Sequence, residues 1–169
     1  ILTLTRMDQM RYQVVPVELG IREYIEDQIE RLEGLAYQKK IKLEFLSGDE
    51  HKIISDVMLL GRAFSNVTSN CIRYAKETVQ ISVEAAGDRL KITIRDDGPG
   101  ISEADLPHLF DRFYKGKNGN HGLGLSIAKR SMEYMGGNIE AESSPEGAIF
   151  MITLPQDCRS FAVEEWTEV

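Results

Sequence analysis

The order in which hydrophobic periods follow one another restricts the fold of this chain more than any other feature. Stretches of alternating apolar residues come in neighbouring pairs, and stretches with apolar residues at every third or fourth position separate those pairs. From about Glu18 to Lys40, Ile21, Tyr24, Ile25, Ile29, Leu32, Leu35 and Ala36 mark an amphipathic helix with a charged outer face. Ile41–Phe45 alternates as a half-buried strand, Ser47–Glu50 reads as a turn, and His51–Ser55 as a second short strand. Asp56 stands where it can cap a helix running to about Ala75, with Val57, Leu60, Phe64, Val67, Cys71 and Tyr74 on its apolar face. Thr78–Val83 and Leu90–Ile94 form a hairpin across Ala86-Gly-Asp88. After the break at Gly98-Pro-Gly100, Ser102 caps a short helix with Asp105 at the capping-box position. A Gly, Asn and Lys loop over 115–122 leads into a helix from Leu123 to Met135, ended by Gly136-Gly137. Asn138–Glu142 and Ala148–Thr153 make a last hairpin across Ser143–Gly147. Strands that come in pairs do not wind a doubly wound parallel sheet. The order predicts an α+β two-layer sandwich, a mixed sheet covered on one face by about three helices.

Composition excludes several classes of function. The 169 residues suit one domain with short appendages, and 42% apolar against 28% charged residues is ordinary for a globular chain. Acidic residues outnumber basic ones 27 to 20, for a formal charge of −7, which argues against a nucleic-acid partner while leaving room for a local basic pocket. Cys71 and Cys158 make neither a disulfide framework nor a metal-ligand spacing. No apolar run approaches the roughly 18 residues of a membrane span, so the segment is expected to be soluble, whether free or part of a longer membrane protein.

Four stretches carry residues suited to chemistry. In Asn66-Val-Thr-Ser-Asn-Cys-Ile-Arg-Tyr74, Asn66 and Asn70 are four apart and share one helix face, where their amide oxygens suit a hard cation such as Mg²⁺. The alternative for that pair alone is a solvated polar face. In Arg95-Asp-Asp-Gly-Pro-Gly-Ile101, a strand-end carboxylate can accept from an exocyclic amine, and the glycines admit a flat ring; taken alone it also fits a plain Asp-Gly turn. Leu109-Phe-Asp-Arg-Phe-Tyr-Lys115 reads both as a short helix burying Phe110 and Phe113 and as the foot of a lid. Gly119-Asn-His-Gly-Leu-Gly-Leu125 runs into a helix N-terminus, whose free N–H groups favour phosphate, without the Gly-Lys-Ser/Thr of a P-loop.

In this order and on these elements, the four stretches resemble the N, G1, F and G2 boxes of the ATP-binding catalytic domain of sensor histidine kinases. These belong to the gyrase, Hsp90, histidine kinase and MutL superfamily. The resemblance covers about residues 17–155 and implies the Bergerat-type ATP-binding fold. It implies that Asn70 is a Mg²⁺ ligand with Asn66 a second ligand or support, that Arg73 reaches the phosphates, and that Tyr74 packs beside adenine. Asp96 is implied to bond the adenine amine in a pocket shaped by Gly98, Gly100 and Ile101. Phe110 and Phe113 begin the lid, Tyr114 is implied to bind the nucleotide, and Lys115 and His121 are placed to touch phosphate. Gly122 and Gly124 offer backbone N–H groups, while Leu123 and Leu125 seat the helix. ATP and Mg²⁺ are the cofactors so implied, and Asn66 and Lys115 the residues nearest the transfer.

The same resemblance divides the chain. Residues 1–10, with Ile1, Leu4, Met7 and Met10 at every third position, look like the end of a dimerisation and phosphoacceptor helix; 11–16 are a linker, 17–155 the catalytic domain, and 156–169 a polar tail. The implied protein is a protein histidine kinase, homodimeric at full length and anchored in a bacterial inner membrane with this domain in the cytoplasm. Its partners are its own dimerisation domain and a response regulator. His51, His108 and His121 lack the helical His-acid context of an acceptor, so the acceptor is expected elsewhere. Asn66 stands where hydrolysing relatives place a Glu that acts as base for water, which favours transfer over hydrolysis. Three departures stand out: a short lid, Cys71 where Ala is usual, and Ala148 where Ser or Thr is common. The short lid and Ala148 leave as the alternative a pseudo-enzyme or nucleotide-sensing interaction module of the same fold.

Overall fold

The computed structural model describes residues 12–48, 50–114 and 124–161. In chain order the elements are β1 (Val17–Gly20), α1 (Ile21–Lys39), β2 (Lys42–Ser47), β3 (Lys52–Ser55), α2 (Val57–Tyr74), β4 (Thr78–Ala86) and β5 (Arg89–Asp96). A 3₁₀ turn (Leu106–His108), α3 (Gly124–Glu133), β6 (Asn138–Ser144) and β7 (Gly147–Pro155) follow. The main sheet has the order β2-β4-β5-β7-β6. β2 runs parallel to β4, and every other neighbouring pair is antiparallel. It is therefore mixed, with long helices on one face, as the element order predicts.

Alternation fixes which face is covered. Val79, Ile81 and Val83 of β4, Leu90, Ile92 and Ile94 of β5, and Phe150, Ile152 and Leu154 of β7 are all buried, while the residues between them are more exposed. They meet Leu60, Ala63, Phe64, Val67 and Cys71 of α2 and Leu125, Ala128 and Met132 of α3 in one core. A side chain buried this completely contributes roughly 1.5–3 kcal/mol, so a one-residue slip of any of these strands would be costly.

The local chemistry explains most of the boundaries. Asp56 caps α2 as expected, accepting from the Met58 and Leu59 N–H groups at 3.0 Å each. Gly87 has φ 65°, which a two-residue hairpin turn between β4 and β5 requires. α3 closes with Gly136 at φ 75°, the Gly137 N–H reaching the Met132 carbonyl and the Gly136 N–H that of Glu133.

Three expectations need correction. Residues 17–20 do not begin the first helix; they form β1, antiparallel to β3. α1 begins at Ile21 with no side-chain cap from Gly20, and the Glu50 carboxylate takes the Arg22 N–H instead. The two strands at 42–47 and 52–55 do not pair with each other. β3 lies between β1 and the chain at 156–158, where Ile54 N–H donates to Gln156 and Cys158 N–H to Ile54. The helix after Ser102 is a single 3₁₀ turn. Ser102 Oγ does accept the Asp105 N–H at 3.1 Å, but the Asp105 carboxylate takes the Tyr114 hydroxyl at 2.7 Å. The expected helix end at 1–10 lies outside the described residues. At 12–16 the chain lies against the start of α2, with the Tyr12 hydroxyl and the Val15 N–H both donating to Asp56.

Candidate functional site

A cleft of about 290 Å³ opens where the last turns of α2 meet the end of β5, the loop that follows it, and the start of β7. Its walls are Asn70, Tyr74, Asp96, Pro99, Gly100, Ile101, Ser102, Asp105, Leu109, Ala148 and Phe150. Apolar walls with a few convergent polar groups are the usual make-up of a small-molecule site.

Asp96 sits in this cleft only 3% exposed. Its Oδ1 accepts the Gly98 N–H at 2.9 Å and the Ala148 N–H at 3.2 Å. Burial pushes its pKa above the usual carboxylate range. The Gly98 and Ala148 amides and the Cys71 thiol pull it back, and Asp97 adds to the rise. Cys71 is fully buried, as expected, and burial followed by the neighbouring Asp96 charge raises its thiol far above the ordinary value. Two glycines permit this packing. A Cβ on Gly98 would strike the Tyr74 carbonyl, and one on Gly147, at φ 137°, would strike the Asp96 carbonyl. Asp97 turns the other way. Although partial burial opposes it, the N–H groups of Glu77, Lys76 and Thr78 hold its carboxyl below the usual range and tie the end of α2 to β4.

Of the two α2 amides read from the sequence, only Asn70 is among the cleft walls. Asn70 lines the cleft at 9% exposure, with Asn66 half-buried one turn earlier and Tyr74 one turn later. Arg73 is exposed near the end of α2 and is not among the cleft walls. Among the described residues no group of three His, Cys, Asp or Glu could hold a metal. The donor set still fits Mg²⁺, because an amide oxygen is a hard ligand and this ion keeps waters and takes phosphate oxygens for the rest.

The remaining expected residues separate. Asn70, Tyr74, Asp96, Gly100 and Ile101 come together in the cleft. Gly98 is buried just behind it. Leu125 is 1% exposed in the core, so it seats α3 and does not itself face the cleft. Gly124 is the first residue of α3. Lys115, His121, Gly122 and Leu123 lie outside the described residues. Phe110 is half-buried, edge-on to Phe150 and under the Lys129 ammonium. Phe113, expected to be buried, is 57% exposed at φ 65° with the Arg112 guanidinium 5.0 Å over its ring. Sequence reasoning missed Pro99, Ser102, Asp105, Leu109 and Phe150 as walls. Phe150 reads as an ordinary inward strand residue and Asp105 as a helix cap, and neither pattern signals a cleft.

Comparison with known proteins follows this geometry. The family model described as histidine kinase-, DNA gyrase B- and HSP90-like ATPase matches residues 55–157. The chain is 44% identical over 99 residues to the signal transduction histidine-protein kinase AfsQ2 of Streptomyces coelicolor, covering 55% of this chain and 18% of that protein. It is 32% identical over 157 residues to the sensor histidine kinase CssS of Bacillus subtilis, covering 92% of this chain and 34% of that protein. The chain thus spans about a third or less of the length of these relatives. Among solved structures, full-length ShkA in complex with AMPPNP superposes with a TM-score of 0.83 at 22% identity, over 91% of this chain and 34% of that one. The matched segment runs from the end of β3 through α2, the cleft and β7, and on that ground the chain belongs to the histidine kinase-, DNA gyrase B- and HSP90-like ATPase family.

Proposed function

We propose that this domain binds Mg-ATP and hands the γ-phosphoryl group to a histidine on a dimerisation domain of the same protein, leaving ADP. The observation that carries the reading is Asp96, a buried carboxylate with one oxygen held by two backbone amides in a cleft walled by Tyr74, Ile101 and Phe150. A carboxylate so held is suited to accept the exocyclic amine of adenine while the apolar walls take its faces. Asn70 stands on the same wall, and Asn66 one turn before it. These are the residues that would hold Mg²⁺, which when bound supplies neutralising charge at the phosphates. Gly124 opens α3, so its N-terminal N–H groups favour an anion, and Arg73, Lys115, His121, Gly122 and Leu123 extend that grip. Asn66 cannot take a proton from water, which favours transfer over hydrolysis.

Within this proposal residues 1–10 end a dimerisation and phosphoacceptor helix, 11–16 join it to the catalytic domain at 17–155, and 156–169 form a tail whose first residues pair along β3. Within the same proposal the full-length protein is homodimeric and membrane-anchored, with this domain in the cytoplasm and a response regulator as the next acceptor; the names of the relatives support a sensor histidine kinase. Asp96→Asn tests the reading. Calorimetric titration is expected to show ATP affinity reduced at least tenfold with the thermal midpoint nearly unchanged, and equal affinity in variant and parent would refute the adenine assignment. With labelled ATP, acid-labile label is expected on an added dimerisation domain and not on this chain alone. Binding without such transfer would favour a nucleotide-sensing module.

A further inference from the structure

The cleft walls carry two carboxylates, and the proposed reaction uses only one of them. Asp96 ends β5 at 3% exposure, and Asp105 belongs to the wall built by the loop after β5, at 9%. Asp105 is held from its own backbone, its N–H reaching the carbonyl and the Oγ of Ser102, a neighbouring wall residue, at 3.1 Å each. Its Oδ1 accepts the Tyr114 hydroxyl at 2.7 Å. Tyr114, implied by the resemblance to bind the nucleotide, is not itself among the cleft walls. A carboxylate has two oxygens with about four acceptor positions, so Asp105 can serve Tyr114 and a ligand together. What it can take from the ligand follows from the donors that ATP carries. An ionised carboxylate accepts and does not donate. ATP donates from the exocyclic amine of adenine and from the ribose hydroxyls, and from nowhere else. The amine goes to Asp96, and the phosphates are anions that a second carboxylate repels. The ribose hydroxyls remain.

We infer that Asp105 reads the sugar: its carboxylate accepts a ribose hydroxyl of the bound nucleotide, and the cleft thereby selects ribonucleotides over their deoxy counterparts. The inference rests on the reading of the cleft as an ATP site, and it adds a specificity which that reading does not contain. Asp96 and Asp105 then divide the nucleoside between them, one carboxylate for the base and one for the sugar, with Ile101 in the stretch of wall between them.

The experiment is calorimetric titration of the parent, Asp105→Asn and Asp105→Ala with ATP, 2′-deoxy-ATP and 3′-deoxy-ATP. The three ligands share base and phosphates. Their affinity ratios therefore cancel any general loosening of the cleft and any change in the repulsion of the phosphates. In the parent at least one deoxy analogue is expected to bind about tenfold more weakly than ATP, the scale of one hydrogen bond to a charged acceptor. In Asp105→Ala that preference should fall below twofold. Asp105→Asn should lie between, because an amide oxygen still accepts but carries no charge. A parent that binds all three ligands alike overturns the inference. So does a preference that survives in Asp105→Ala, even where that variant weakens every ligand. Should Asp105→Ala not fold, a preference undiminished in Asp105→Asn overturns it equally. Asp96→Asn is the control and should weaken all three ligands by a similar factor, leaving the sugar preference in place. If it weakens none, the ATP reading falls and takes this inference with it, whereas a weakening by Asp96→Asn beside a parent without sugar preference overturns the inference alone.

Discussion

Asp56→Ala should cost this domain stability and leave its nucleotide affinity alone. The carboxylate is 1% exposed and makes four hydrogen bonds. Oδ1 takes the Met58 and Leu59 N–H groups at 3.0 Å, and Oδ2 takes the Val15 N–H at 2.9 Å and the Tyr12 hydroxyl at 3.2 Å. Loss of the cap is worth about 1 kcal/mol and up to ~2. The two bonds to the preceding segment add about 0.5–1.5 kcal/mol each, reduced because their donors can return to water. Removing a buried charge returns part of its desolvation cost. The balance is about 2–3 kcal/mol, and at ~2–4 °C per kcal/mol for a domain of this size the midpoint should fall by roughly 4–12 °C. Urea unfolding followed by far-UV circular dichroism measures it. Tyr12→Phe alone should cost only about 0.5–1 kcal/mol, because it removes one of the four bonds. ATP affinity should stay within twofold, since Asp56 begins α2 and Asn70 and Tyr74 lie near its other end. A loss under about 1 kcal/mol would refute the accounting for this buried carboxylate. A tenfold drop in ATP affinity would refute the separation of the two ends.

The other predictions concern the cleft. ATP affinity should need the ionised form of Asp96, whose folded pKa lies above the usual range, so affinity is full above that raised value. It should be lost as pH falls through it, at a higher pH than for an ordinary carboxylate, and a titration series that is flat across that window counts against the assignment. Without nucleotide the sign reverses: the folded state holds the Asp96 proton more tightly, so stability should decrease as pH rises from the ordinary carboxylate value to the raised one, which urea midpoints would show. Asn70→Ala should abolish the Mg²⁺-dependent part of ATP affinity while leaving metal-free binding, as read by titration with and without chelator. Gly147→Ala should destabilise by about 2 kcal/mol or more and weaken ATP as well, because a Cβ there meets the Asp96 carbonyl at a left-handed φ; unchanged urea stability would show that the β6–β7 turn yields.

The sequence by itself determined the layers and several residues of the cleft. Period-two runs at 78–83, 90–94 and 148–153 identify the buried face of β4, β5 and β7, because alternation records which side of a strand is wet. Asp56 was legible as a cap, since a cap is a contact within four residues. Asn70, Tyr74, Asp96, Gly100 and Ile101 were legible as a set only through the resemblance of the four stretches to a known family, since each stretch alone also fits a plain structural role. What the tertiary structure decided are the contacts between residues far apart in the chain, which leave no local pattern. Val17–Gly20 is a strand because β3 offers it an unpaired edge, and the short run has no period of its own that would say so. Glu50 caps α1 from across a turn, and Asp56 reaches back 41 residues to Val15. Phe113 is exposed and left-handed beside a Tyr114 that reaches back nine residues to Asp105, while its spacing from Phe110 suggested a buried helical face. Phe150 and Leu109 become cleft walls only when β7 and the 3₁₀ turn converge on Asp96. A hydrophobic period reports burial, and burial is the same whether the neighbour is another side chain or a ligand, so the walls of the cleft had to wait for the fold.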